Sequence, residues 1–197
     1  MTQFSKDLSS SKWIKATFFG WFLGIILILV LSSLFDAIGI EGFQFFLGIG
    51  IGAGVGFMQG RLLRTTTFVN KPWLWASIIG MGLPFMISDL LILYGDLSLG
   101  SYYIPICIAS GSVLVSVLQF LYLKKGSPKA MLWILGCSLG WMLAGITVFA
   151  IDYTNHIADQ VMVQFFLNLF LILGSGVVLG LVTGPFLKAI LRQDNLS

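Results

Sequence analysis

The chain has 197 residues, of which 57% are hydrophobic and 10% charged, a mean hydropathy of +0.97 and a formal net charge of +3. So few polar groups cannot coat a water-facing surface, which excludes a soluble enzyme or a nucleic-acid-binding domain and predicts an all-α polytopic membrane protein. No metal-ligand spacing and no cofactor motif occurs, so no metal, cofactor or catalytic residue is expected.

Six apolar runs reach the roughly 20 residues that a hydrocarbon core of about 30 Å requires. They lie near 13–34, 42–63, 73–95, 101–123, 131–152 and 161–189, a single membrane domain over 1–197. The first follows Lys6, Lys12 and Lys15; it is longer than a signal-peptide core of about 7–15 residues and no A-x-A follows, so it reads as a retained span. Asp36 and Glu41 lie between the first two spans. The second span ends GFMQGRLLR and carries Gly48, Gly52, Gly56 and Gly60 at four-residue spacing, a smooth stripe for a neighbouring helix. Lys71 precedes the third span, where Pro84 frees the carbonyl of Gly80 and predicts a kink or a site for a polar side chain. Asp96 follows it, Tyr102 and Tyr103 read as an aromatic belt at the start of the fourth span, and that span ends SVLQFLYLK. Lys124, Lys125 and Lys129 lead into the fifth; Asp152, His156 and Asp159 separate it from the sixth, which contains Pro185 and ends at Lys188.

All 11 Lys and Arg residues, Arg61, Arg64 and Arg192 included, fall on one side of this arrangement. The positive-inside rule then predicts a cytoplasmic N-terminus and C-terminus, in a bacterial cytoplasmic membrane. Cys107 and Cys137 sit inside spans near opposite faces, where a disulfide is not expected and small buried hydrophobes are.

A shift of 60 residues aligns the chain with itself. Trp13, Trp73 and Trp133 coincide, as do Gly20, Gly80 and Gly140, and Leu23, Leu83 and Leu143; QFFL at 44–47 recurs at 164–167. Gly52, Gly56, Gln59, Leu63 and Arg64 spell G-x3-G-x2-Q-x3-L-R; Ser112, Ser116, Gln119, Leu123 and Lys124 repeat it, and Gly176, Gly180, Thr183, Leu187 and Lys188 follow with a four-residue displacement, about one helical turn. Three tandem parallel helical hairpins are therefore expected, in units of about 1–64, 65–124 and 125–192. The small-residue spans two, four and six would stand at the centre with one, three and five outside. Trp13, Trp73 and Trp133 would form an interfacial belt, Arg64 and Lys124 snorkelling anchors, and Gln59 and Gln119 either polar glue between helices or the lining of a solute path.

Departures from the repeat are the candidates for function. Asp89 stands where the sister units have Leu29 and Phe149, sixteen residues beyond Trp73 and so roughly 24 Å along the helix. An intramembrane carboxylate is costly and marks a candidate site; Asn168, at similar depth, is its expected partner. Asp36, Asp96 and His156 share one column and would ring an acidic mouth, with His156 responsive to pH. Ligand-binding candidates are accordingly Asp89, Asn168, Gln59, Gln119, Asp36 and Asp96.

The repeated motif, with its downstream Trp73 and Gly80 or Trp133 and Gly140, resembles that of a group of small uncharacterised bacterial multipass membrane proteins. Size and span number are also similar to the substrate-binding subunits of energy-coupling-factor vitamin transporters, although the Ala-x3-Ala that those often carry is missing from the first span here. The expected function is a non-catalytic membrane subunit or scaffold, whose partners are the lipid bilayer and other membrane subunits, with no nucleic acid. The alternative is a small-solute permease or substrate-binding subunit with an outward pocket bounded by Asp36, Asp89, Asp96 and Asn168. An intramembrane enzyme stands third.

Overall fold

The computed structural model describes residues 9–40, 42–64, 70–95, 97–124, 127–151, 154 and 160–191. These residues form six long helices: α1 (Ser10–Ala37), α2 (Phe45–Arg64), α3 (Asn70–Tyr94), α4 (Tyr103–Leu123), α5 (Leu132–Phe149) and α6 (Val161–Leu191). Single 3-10 turns, Gly100–Tyr102 and Pro128–Met131, lead into α4 and α5. All six helices are long and apolar enough to cross a membrane, which makes the chain an integral membrane protein.

Local chemistry sets the ends. Ser9 caps α1, accepting from the Ser11 backbone N–H at 3.3 Å. At the other end Gly39 adopts φ +73°, so that its own N–H reaches the Asp36 carbonyl and the N–H of Ile40 reaches Phe35; this closing motif needs a residue that tolerates positive φ. Ser127 ends one connection by accepting from the Lys129 N–H and donating to the Ile190 carbonyl at 3.1 Å, which ties the start of α5 to the end of α6. Helices α3 and α6 continue through Pro84 and Pro185.

Each helix packs on its neighbours in sequence, and α6 packs back on α1, so the six close into a ring. The expectation that α2, α4 and α6 would cluster at the centre is overturned: they make no substantial contact with one another and alternate with α1, α3 and α5 around the ring. The reason is that their small residues face sideways. A Cβ at Gly52 would fall 2.4 Å from the Ser77 carbonyl oxygen of α3, and one at Gly54 would fall 2.3 Å from the Gly20 carbonyl oxygen of α1. Helix α2 is thus held between α1 and α3 by two glycine faces, one of them (Gly50 and Gly54 against Gly20 and Gly24) not anticipated from the four-residue stripe. In lipid such close approach replaces the hydrophobic drive that water would provide. The outward surface is apolar, with Phe22, Leu29, Trp75 and Phe170 among its exposed side chains.

Substituting Gly54 by Val should therefore force α1 and α2 apart, at a cost of about 1–3 kcal/mol or more. Gly174, where an added Cβ meets nothing within 4 Å, should accept Ala without loss. Thermal unfolding in detergent micelles separates the two outcomes.

Candidate functional site

At the end of the ring that carries the basic residues, Trp13, Trp73 and Trp133 meet at the axis. All three are at most 1% exposed. Their ring centroids lie 5.4–6.5 Å apart, two of the three pairs edge to face, an arrangement worth about 0.5–1.5 kcal/mol per pair beyond burial. The interfacial belt expected of them is thus replaced by a buried plug.

An indole buries readily only if its N–H finds an acceptor. Trp73 donates to Gln59 Oε1 at 3.2 Å, Trp133 to Gln119 Oε1 at 2.9 Å, and Trp13 to Thr183 Oγ1 at 2.8 Å. Each glutamine then reaches the preceding odd-numbered helix. Gln59 Nε2 donates to Thr17 Oγ1 at 3.1 Å, and Thr17 donates to the Trp13 carbonyl; Gln119 Nε2 donates to Ser77 Oγ at 2.9 Å, and Ser77 donates to the Trp73 carbonyl. The Cys137 thiol also points at Gln119 Oε1, at 3.5 Å. Thr183, lacking an amide, turns its own hydroxyl proton to the Leu179 carbonyl. Gln59 and Gln119 are buried and their interior polar atoms are committed to side chains of this network.

Asp89, 5% exposed, sits toward the opposite end. One carboxylate oxygen accepts the backbone N–H groups of Gln44 and Phe45, at 2.9 and 2.7 Å, and the other accepts the hydroxyl of Tyr103. Gln44 and Phe45 open α2, whose first N–H groups have no partner within the helix. Asp89 therefore caps α2 from α3, placing negative charge where the helix dipole favours it, and Tyr103 brings α4 to the same point. The pairing of Asp89 with Asn168 does not occur: Asn168 Oδ1 instead accepts from Thr154 at 2.7 Å. Tyr103 is buried and so does not stand in the expected belt, whereas Tyr102 is 70% exposed. Asp36 is exposed at the end of α1. Asp96 and His156 lie outside the described residues, so of the three positions expected to ring an acidic mouth only Asp36 is described. Asp36, Asp89 and Asn168 share no hydrogen bond with one another. Among the described residues no three His, Cys, Asp or Glu side chains gather closely enough to hold a metal ion, and Cys107 and Cys137 are free and buried.

Sequence reasoning missed the hydroxyl column of Thr17 and Ser77 and the burial of the tryptophans. The signal was present: each hydroxyl stands four residues after its tryptophan, and Gln59 and Gln119 each stand fourteen residues before one.

Gln119→Leu should leave the Trp133 N–H without an acceptor and cost about 1–3 kcal/mol. Adding Trp133→Phe removes the orphaned donor, so the second change should cost less in that background than alone, as a double-mutant cycle of unfolding in micelles would measure. Asp89→Asn should weaken the α2 cap by about 1 kcal/mol, and its effect should add to that of Asn168→Ala within about 0.5 kcal/mol, since the two side chains do not touch.

No protein-family model, no curated protein and no solved structure matches the chain.

Proposed function

We propose that the chain is a non-catalytic integral membrane protein made of three tandem parallel hairpins closed into a ring, and that it serves as a membrane subunit or scaffold. The observation that carries this reading is the plug: the largest polar groups of the interior bond one another at the axis, where a channel for a polar solute would need them free.

Support for the threefold repeat comes from matched positions with matched neighbours. Val55, Val115 and Leu179 are all buried, as are Leu63, Leu123 and Leu187, the third member of each set carrying the four-residue displacement. The small-residue motif of each even-numbered helix faces the next odd-numbered one: Gly52 and Gly56 meet Ser77 of α3, Ser116 bonds Ser138 of α5 at 2.9 Å, and Gly176 and Gly180 meet Trp21 and Ile14 of α1. The last contact, together with the Trp13 bond to Thr183, joins the third unit to the first. On this reading the chain is akin to the bacterial multipass proteins whose repeated motif it resembles, with the basic end and both termini in the cytoplasm by the positive-inside rule. Arg61, Arg64, Lys124, Lys129 and Lys188 all stand at helix ends on that side.

Native mass spectrometry after extraction in mild detergent should show the chain with a second membrane protein. In proteoliposomes the isolated chain should carry protons and small water-soluble solutes no faster than empty vesicles do. Saturable flux of such a solute would overturn the reading. Cysteines placed at Lys71 and Lys129 should both react from the same side of the membrane; labelling from opposite sides would overturn the hairpin arrangement.

A further inference from the structure

Beyond the plug the ring does not fill completely. A half-open cavity of about 270 Å³ remains inside it, and all six helices contribute to its wall. Trp21, Met81 and Trp141 form its floor, each eight residues and so about 12 Å along its helix from Trp13, Trp73 or Trp133. The rings of Trp21 and Trp141 lie 5.9 Å apart, with the plug behind them. The wall continues to Leu47, Ile104 and Ile151 at the other end of the ring. Leu47 is the third residue of α2, Ile104 the second of α4, and Ile151 stands two residues past the end of α5. On α5 the lining runs from Trp141 to Ile151, about 15 Å of helix. The cavity is therefore a pit, blind on the plug side, that extends to the helix ends away from the basic residues.

Every lining residue is aliphatic, aromatic, glycine or methionine. Water needs two to four polar partners to stay in such a place, whereas an apolar cavity takes up apolar guests. Left empty, the walls would forfeit the dispersion contacts that a close-packed interior makes. We propose that the pit holds one acyl chain of a bilayer phospholipid, with its methyl end toward Trp21, Met81 and Trp141 and its headgroup outside the ring, at the face opposite the basic residues. The wall selects a hydrocarbon, because a polar guest would lose its bonds to water and find none in exchange. The volume selects the length: a cavity of about 150 Å³ admits the six carbons of benzene, so this one takes roughly ten. Spread over about 15 Å, 270 Å³ leaves a section of about 18 Å², room for one chain and not for two abreast. The position selects the source, since the mouth lies at the helix ends, where the headgroups of that leaflet stand. A lipid tail is as apolar as leucine, so it gives up nothing on leaving its neighbours and gains the contacts of the wall. The site is independent of whether the protein acts as a subunit.

The test places the full chain in nanodiscs containing a phosphatidylcholine that carries a photoreactive diazirine on one acyl chain. With the diazirine at about the tenth carbon, irradiation and peptide mapping should find adducts on Trp21, Met81 or Trp141, which are at most 6% exposed and out of reach of lipid around the protein. With the diazirine near the headgroup, the interior adducts should move to Leu47, Ile104 or Ile151. Val148→Trp, which fills the pit from α5, should abolish the floor adducts and leave those on outward residues such as Trp75 and Phe170 unchanged. Adducts confined to outward residues with both probes, equal labelling of the floor from both depths, or floor adducts that persist in folded Val148→Trp would each defeat the proposal. Floor labelling by a diazirine-bearing decanol but not by the phospholipid would reject a bilayer lipid as the source. The comparison of the two depths requires no variant to fold.

Discussion

Three indole N–H groups buried at one point must each find an acceptor, and the ring's geometry at its basic end follows from how they do so. Trp73 takes Gln59 and Trp133 takes Gln119, each from the helix before it; Trp13 takes Thr183 from the last helix in the chain. The first two bonds connect helices successive in the chain, α2 with α3 and α4 with α5. The third has no precedent along the chain and can form only when the two chain ends come together. In a solvent that gives helices no reason to cluster by hydrophobicity, such bonds and close backbone contact are what hold them.

The small residues and the polar residues have separate tasks. Glycine and serine on α2, α4 and α6 bring backbones together around the circumference, where Gly54 lies against Gly20 and Gly52 against Ser77. Glutamine, threonine and tryptophan lock the axis. Asp89 works at the far end in the same spirit, for its carboxylate supplies the acceptors that the first N–H groups of α2 lack. A carboxylate inside a membrane protein invites a functional reading, yet here the desolvation it suffers is offset by two backbone donors and the Tyr103 hydroxyl. Between the plug and this cap lies a cavity of about 270 Å³ walled by apolar side chains of all six helices.

How far the sequence could be read depended on the range of the interaction concerned. Span number and helix limits were legible, because a bilayer demands long apolar runs whatever they pack against; the expected 161–189 and the observed Val161–Leu191 differ by two residues at one end. The importance of Gln59 and Gln119 was legible too, since an amide in a span must be bonded. Their partners were not. Tryptophan near a helix end is interfacial in most membrane proteins, and nothing local distinguishes Trp13 or Trp73 from that rule until an acceptor on another helix is seen to reach it. The same holds for Tyr103 beside Tyr102: adjacent residues on a helix point about 100° apart, so one entered the core and the other stayed outside.

The amino-acid sequence alone determined six apolar helices, the segregation of basic residues to one side, and the sixty-residue periodicity of tryptophan and glycine, all properties of local composition and spacing. Only the tertiary structure decided that the helices close into a ring rather than a core and shell, that the tryptophans meet at its axis, and that Asp89 serves a helix start instead of Asn168. These outcomes depend on which face of each helix meets which neighbour. A small residue permits close approach on any side, and a hydrogen-bonding group accepts any partner within reach, so the choice rests with the packing of all six helices at once.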